Sequence, residues 1–236
     1  MGHKNQYTMK LKSLTILMAA LAVVFGCKNN GQESQEAEET QQKEATMEKS
    51  SPAVEAWTNL GEAPVLKIET TDGIMTVKLY AETPLHRDNF IKLASTGFYN
   101  GILFHRIING FMVQVGDPLT KDSTMVDKFG TGGPGYTIPA EIVAGKTHKK
   151  GAIAAARRGD KVNPAKESSG SQFYIVQDAE GCNHLDGEYT VFGEVIEGLD
   201  VIDKIAAEPT GYGDRPLNRV EIINITPVKP EAQKAE

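Results

Sequence analysis

Phe104–Ile107, which reads Phe-His-Arg-Ile, is followed closely by Phe111–Gln114, which reads Phe-Met-Val-Gln. These two runs are the most informative stretch of the 236-residue chain. Both carry the aromatic and branched side chains that are typical of short strands. Arg106 adds a permanent positive charge beside an apolar surface and the amide of Gln114. We therefore expect strand structure here that combines a cation, an amide and an apolar pocket.

Strand-like and helix-like segments also fill the sequence on either side. Six further strand-like runs bring the predicted number to eight: Val65–Thr70, Ile74–Tyr80, Ala152–Ala156, Gln172–Val176, Thr190–Val195 and Val220–Thr226. Asp72-Gly73 predicts a tight turn between the first two of these. Thr83-Pro84 begins one helix, which Gly97 ends, and Leu199–Ala206 has the apolar spacing of a second. The predicted fold is mainly β, a closed eight-stranded antiparallel barrel with two helices, because closure removes exposed sheet edges.

Composition limits the partners and cofactors that we expect. The chain is 40% hydrophobic, which is enough to bury a full core, and its net charge of -6 gives no reason to expect a nucleic acid. The glycine-rich loop at residues 130–135 lacks the Lys-Ser/Thr ending of a phosphate-binding loop. Cys182 and His184 are only two of the four ligands of a structural zinc site, so no metal is expected.

Two later motifs follow the first stretch in order, Gly170-Ser171-Gln172-Phe173-Tyr174 and Leu185-Asp186-Gly187. With them, the region from about Pro64 to Val228 resembles the cyclophilin family of peptidyl-prolyl cis-trans isomerases. The resemblance implies a cyclophilin-like barrel that is monomeric and needs no cofactor. It also implies that the partners are proline-containing segments of unfolded or flexible proteins.

The chemistry of that reaction fits the residues of the first stretch. Resonance opposes rotation about a peptide bond with a barrier of about 18–20 kcal/mol, and bonds before proline populate both isomers. A donor aimed at the proline nitrogen stabilises the twisted state, in which the nitrogen lone pair has left conjugation. Arg106 is the expected donor because its guanidinium stays charged and presents several N–H groups. His105 is interpreted as a structural residue rather than a general base.

The resemblance implies roles for ten side chains. Arg106, Phe111 and Gln114 are the expected catalytic residues. The expected substrate-binding residues are Met112, Arg157, Gln172, Tyr174, His184, Leu185 and Tyr189. Apolar members of this set are expected to wall a proline pocket, and the two glutamines to hydrogen-bond the substrate backbone. For Phe111 and Met112 the alternative interpretation is ordinary packing in the core.

Some positions depart from the commonest family pattern. Arg157 stands where asparagine is usual, His184 where many members have tryptophan, and Tyr189 where many have histidine. Tyr174 also replaces a frequent phenylalanine. These changes leave Arg106 in place, so we expect activity with an altered pocket rim. In the family, tryptophan at the position of His184 favours cyclosporin binding.

The first quarter of the chain has a different character. Lys10 and Lys12 precede an apolar run from Leu14 to Phe25, which predicts an export signal over residues 1–26. Gly26-Cys27 resembles the lipobox of bacterial lipoproteins, in which the cysteine is acylated and becomes the first residue. Cys27 is therefore the expected lipidation site, and the alternative is a free thiol after an ordinary signal. Either Met1 or Met9 could be the start.

The domain plan follows from these segments. Residues 27–55 are predicted to be a lipidated cysteine and a disordered tether, because polar residues dominate there. Residues 56–230 form the predicted isomerase domain, and residues 231–236 a flexible tail. We expect an exported protein, lipid-anchored to the cell envelope and facing the periplasm or associated with an outer membrane. The alternative function is a chaperone or scaffold module that holds proline peptides without turnover.

Overall fold

Strands and two α-helices build the part of the chain that the computed structural model describes, residues 56–229. The strands are β1 (Val65–Thr70), β2 (Gly73–Leu79), β3 (Arg106–Ile108), β4 (Met112–Val115), β5 (Thr137–Ile138), β6 (Ala152–Arg157), β7 (Ser168–Val176), β8 (Val191–Glu197) and β9 (Ile222–Pro227). The helices are α1 (Pro84–Ser95) and α2 (Leu199–Ala206). The predicted signal, Cys27, the tether and the tail lie outside the described residues. Within residues 56–229, no helix is long and apolar enough to cross a membrane.

The strands form one antiparallel sheet, but the predicted closed barrel is wrong. Along the sheet the order is β3-β4-β7-β6-β8-β2-β1-β9, and β5 pairs with β7. The result is an open, curled half-barrel whose two edges are β3 and β9. An isolated β-bridge joins Leu103, which precedes β3, to Glu221, which precedes β9. Backbone hydrogen bonds join Phe104 to Val220 and Ile222 to Ile102 in this region, but β3 and β9 themselves do not pair.

Local sequence signals account for the start of the domain. β1 and β2 form the predicted hairpin, with Thr70 paired to Gly73 across the turn. Helix α1 begins at Pro84, as predicted, because proline suits a first-turn position whose N–H has no partner within the helix. Gly97 follows the helix with φ of 69°, a left-handed conformation that favours glycine. The two-residue strand β5 was not predicted.

One face of the sheet, here called the core face, packs against both helices. Phe173 and Phe192 of this face form an aromatic cluster with Phe90 of α1 and with Tyr99, with ring centroids 5.1–6.4 Å apart. The predicted apolar side of α2 joins the same core. Burial of this apolar surface is the main source of stability for the domain.

The opposite face of the strands around β7, here called the groove face, carries a second apolar cluster. Its buried members are Tyr80, Met112, Ala152, Ala154, Tyr174, Val176, Cys182 and Val191. On β4, Val113 and Val115 belong to the core face and Met112 to the groove face, because side chains alternate along a strand. The two faces thus share the same strands.

Candidate active site

An open groove of about 160 Å³ lies on the groove face. It is lined by Arg106, Phe111, Met112, Gln114, Ala156, Arg157, Tyr174, Leu185 and Tyr189. All of these except Ala156 were predicted as site residues. Residues from β3, β4, β6 and β7 therefore meet the segment around Leu185 in one place.

Strand register explains how distant parts of the sequence meet. Arg106 on β3 lies opposite Gln114 on β4, and Gln114 lies opposite Tyr174 on β7. Tyr174 in turn lies opposite Ala154 on β6. Directly opposed residues of antiparallel strands place their side chains on the same face, about 4.5–5.5 Å apart at Cβ. One row across four strands thus carries the cation, the amide and the aromatic ring.

The apolar wall combines buried and accessible side chains. Met112 is 1% exposed and Tyr174 5%, so both are fixed by packing, whereas Phe111 and Leu185 are partly exposed. The alternative interpretation of Phe111 and Met112 as core residues is incomplete, because both also line the groove. His184 is exposed, with its ring 6.0 Å from that of Phe111. It lies beside the wall rather than lining it.

Arg106 lies at the accessible end of the row, with its side chain 40% exposed. Its Nε lies 3.5 Å from Oδ2 of Asp214, a residue that follows β8 and α2 in the chain. Within residues 56–229, the structure shows no other ion pair or hydrogen bond of the Arg106 side chain. The terminal amino groups of the guanidinium can therefore address a ligand. Asp214 was not predicted, since no local motif indicates that its loop reaches β3.

Gln114 and Gln172 play different parts. Nε2 of Gln114 donates to Oε1 of Gln172 at 3.1 Å, and Nε2 of Gln172 donates to the carbonyl of Gly132 at 2.8 Å. Gln172 is 6% exposed and is absent from the groove lining. It therefore orients Gln114 from behind, whereas the sequence predicted a direct contact with substrate.

The glycine-rich loop supports this pair. Buried Asp117 accepts hydrogen bonds from the backbone N–H of Gly130 at 2.6 Å and of Gly132 at 3.0 Å. A Cβ at Gly132 would lie 2.1 Å from Oδ1 of Asp117, so only glycine fits. The glycines thus allow a close approach to a buried carboxylate.

Arg157 is held almost entirely by the protein. Its side chain is 5% exposed, and its Nε donates to the carbonyl of Glu188 at 2.9 Å. The guanidinium also pairs with Asp160 and lies over the ring of Tyr189, 4.5 Å from the centroid. Arg157 therefore fixes Tyr189 in the wall, and its donors are occupied within the domain.

His105, the neighbour of Arg106, is buried and does not line the groove. Burial lowers its pKa to about 4, because a charged imidazolium loses its hydration there. Among the described residues its ring nitrogens have no hydrogen-bond partner of good geometry, although the Leu103 carbonyl is close. At neutral pH His105 is an uncharged packing residue.

Residues 56–229 contain no group of three or more His, Cys, Asp or Glu side chains placed to hold a metal ion. The chemistry available at the groove is hydrogen-bond donation beside an apolar wall. Ala156, which was not predicted, contributes a small side chain two residues beyond Ala154 on the same face of β6. Strand alternation was the signal that could have found it.

Comparison with known proteins agrees with this arrangement. Residues 65–227 match the family model described as cyclophilin type peptidyl-prolyl cis-trans isomerase. A Helicobacter pylori peptidyl-prolyl cis-trans isomerase is 41% identical over 142 residues, covering 58% of this chain and 77% of that protein. Peptidyl-prolyl cis-trans isomerase-like 3 of Gallus gallus is 38% identical over 162 residues, covering 67% and 92%.

Another similar protein is much longer. Peptidyl-prolyl cis-trans isomerase-like 2 of Rhizopus delemar is 39% identical over 166 residues, and the match spans 28% of its length. Among solved structures, a Cryptosporidium parvum cyclophilin-type isomerase is 26% identical with a TM-score of 0.63, covering 71% of this chain and 99% of that one. A second structure of it, in the presence of the dipeptide Ala-Pro, has a TM-score of 0.61.

Proposed function

Because this chain belongs to the cyclophilin-type peptidyl-prolyl cis-trans isomerase family, we propose that it catalyses rotation about peptide bonds that precede proline. The substrates are flexible or unfolded protein segments that can enter an open groove. The observation that carries this proposal is the row of Arg106, Gln114 and Tyr174 across adjacent strands. It places a permanent donor beside an amide and an apolar wall.

Each part of the row has a task in the reaction. The apolar wall around Met112 and Tyr174 binds the proline ring through burial of nonpolar surface. Gln114 hydrogen-bonds the substrate backbone. The guanidinium of Arg106 donates to the proline nitrogen as its lone pair leaves conjugation, so the twisted state is stabilised more than the planar one. No covalent bond is made or broken during the rotation.

Contacts within the domain orient Arg106 and Gln114 before substrate binds. Asp214 engages Nε of Arg106, which limits the orientations of the guanidinium before substrate arrives. Gln172 holds the amide of Gln114 in the same way. A donor that is already oriented does not lose free energy to reorganisation during the reaction. The Ala-Pro dipeptide used with the Cryptosporidium cyclophilin has the peptide bond that we propose as the substrate here.

The direct test is a proline-isomerisation assay on the purified chain and on Arg106→Ala. Loss of one preorganised donor is expected to lower kcat/KM by about 10²–10³, equivalent to about 2.7–4 kcal/mol of transition-state stabilisation. Arg106→Lys is the matched control, because it keeps the charge without the planar fork and should retain part of the rate. Thermal unfolding of each variant separates lost catalysis from lost structure.

Two results would contradict the proposal. Arg106→Ala that folds normally and turns over at the parent rate would exclude the mechanism. A parent chain that binds proline peptides but does not accelerate isomerisation would instead support the chaperone or scaffold function.

We also propose that the protein acts at the cell envelope, held there by lipid on Cys27. The support is the apolar run Leu14–Phe25 followed by Gly26-Cys27, all outside the described residues. The run is shorter than the roughly 20 residues that span a bilayer, and more than one acyl chain on one cysteine gives stable anchoring. Cys27→Ser should abolish fatty-acid labelling and membrane association, and unmodified Cys27 in a soluble native protein would contradict this.

A further inference from the structure

A buried histidine lies behind the groove wall. His148 is 0% exposed, and its ring is stacked against Tyr174, with centroids 6.0 Å apart and planes at 13°. The ring of Tyr189 meets it edge-on at 6.3 Å. Tyr174 and Tyr189 both line the groove, whereas His148 does not. One imidazole therefore contacts two wall residues from the side that substrate cannot reach.

A chain of hydrogen bonds links this histidine to a third part of the wall. Nδ1 of His148 lies 2.7 Å from Oδ1 of Asp186, and Nε2 lies 3.0 Å from the hydroxyl of Tyr174. Asp186 also accepts the backbone N–H of His148 at 2.8 Å. Because Asp186 directly follows the wall residue Leu185, these bonds attach the Leu185 segment to β7.

The hydrogen-bond partners of His148 determine which of its ring nitrogens carries the proton. Burial opposes the charged form of Asp186, but hydrogen bonds from His148 outweigh it and hold the pKa below its ordinary value. The ionised carboxylate can only accept, so Nδ1 of His148 carries its proton and donates. In the neutral ring Nε2 then accepts, and the hydroxyl of Tyr174 donates to it. Tyr174 is thereby fixed with its hydroxyl turned toward the interior.

We propose that neutral His148 is a positioning residue that sets the shape of the proline pocket through Tyr174 and Asp186. This inference rests on the proposed isomerase function of the groove. Protonation of His148 would turn Nε2 into a donor, so the Tyr174 hydroxyl would have to accept from it instead of donating to it. Because Tyr174 is 5% exposed, the proton of its hydroxyl would then have little access to another acceptor, so it would stay unpaired or the ring would shift.

The surroundings determine the pH at which this happens. The titratable groups around His148 are Asp186 and His184 from the loop after β7, the Tyr174 hydroxyl, and Tyr189, whose ring meets the imidazole edge-on. Burial lowers the pKa of His148, and the hydrogen bond and charge of Asp186 partly oppose that effect. The wall is therefore intact at neutral pH and is disturbed as the pH falls below the ordinary imidazole range.

Two substitutions of His148 separate positioning from simple folding. His148→Gln keeps an amide donor for Asp186 and a carbonyl acceptor for Tyr174, but it does not titrate. His148→Phe fills the space and removes both bonds. We expect His148→Phe to raise KM for a prolyl peptide roughly tenfold with kcat nearly unchanged, the effect of one unpaired buried hydroxyl. Adding Tyr174→Phe to it should return KM toward the parent value, because the unpaired hydroxyl is then absent.

The experiment measures KM and kcat of the full chain from pH 7 to pH 5, with circular dichroism at each pH. The parent KM should rise in acid, and that of His148→Gln should stay flat near the parent value at pH 7. The inference would be overturned if His148→Phe had the same KM as the parent. It would also be overturned if the KM of His148→Gln still rose as the pH falls. Absence of isomerisation by the parent would instead contradict the proposed function, so the two failures are distinguishable.

Discussion

Phe173 and Tyr174 are consecutive residues of β7, but they belong to opposite faces of the sheet. Phe173 contacts three aromatic rings of the core face at 5.3–6.4 Å. Tyr174 lines the groove, and its hydroxyl is bonded to a buried histidine. The core face is held by apolar packing, whereas the groove face adds directed hydrogen bonds between side chains.

This difference shows how one set of strands supports both stability and recognition. Packing tolerates small shifts at modest cost, but a pocket that must fit one ring needs fixed side-chain orientations. On the groove face, two polar lining residues have hydrogen-bond partners inside the domain: Tyr174 has His148, and Arg157 has Glu188. Substitutions on the two faces should therefore separate the loss of folding from the loss of function.

The largest effect is expected on the core face. Phe173→Ala removes a side chain that is 2% exposed from the aromatic cluster, and should lower the free energy of unfolding by about 3–5 kcal/mol. Denaturant unfolding followed by circular dichroism measures this change. Tyr174→Phe is the control on the neighbouring residue, because it keeps the ring and should change stability much less. Equal losses for the two would contradict the division into faces.

Acid should weaken the fold through a buried histidine outside the groove. His105 has a pKa of about 4, below its ordinary value of 6.5, so the unfolded chain binds its proton first as the pH falls. The stabilisation from burying neutral His105 is fully present above about pH 6.5 and is lost as the pH falls toward 4. At most, it amounts to about 3 kcal/mol of the free energy of unfolding. Unfolding free energies at several pH values test this. His105→Leu should flatten that part of the profile, and an unchanged slope would exclude His105 as the cause.

Substitution at the rim of the groove should change ligand affinity without changing stability. His184→Trp adds an apolar indole beside Phe111, and we expect roughly tenfold tighter cyclosporin binding, from a weak parent affinity. Calorimetric titration of the parent and the variant measures the two dissociation constants. Tight binding by the parent would show that His184 does not determine this affinity.

The smallest expected effect distinguishes Gln114, which lines the groove, from Gln172, which accepts a hydrogen bond from it. Gln172 acts through Gln114, so Gln172→Ala should lower kcat/KM in the parent but have little further effect after Gln114→Ala. The expected coupling is about 1 kcal/mol, the net value of one hydrogen bond. Rates of the four proteins in this double-mutant cycle provide the test. Additive losses would mean that Gln172 contacts substrate independently.

Much of this arrangement could be predicted because its signals are local. Within residues 56–229, both α-helices follow from a proline, a glycine and apolar spacing, and eight of the nine strands follow from short runs of strand-forming residues. Alternation along β4 and β7 also places Met112, Gln114 and Tyr174 together. The two-residue strand β5 escaped prediction because its pairing depends on Ser168 and Ser169 of β7 rather than on its own sequence.

The remaining features depend on contacts between distant segments. Whether a sheet closes is decided by the length and approach of its edge strands, so the eight strand-like runs could not exclude an open half-barrel. Asp214 reaches Arg106, and Asp186 reaches His148, only after the loops have packed. Gln172 was recognised as a site residue, but its hydrogen bonds to Gln114 and Gly132 required the structure.

The pairing of β1 with β9 has a consequence for the order of folding. Leu66 lies opposite Pro227, so the first strand of the domain completes its hydrogen bonds only with the last. During synthesis, β1 and β2 can form their hairpin early, but the outer edge of β1 stays unpaired until β9 has emerged. Such a distant contact carries a large loop-closure entropy and slows folding. The complete sheet is thus a late product of synthesis, assembled once the whole domain is available.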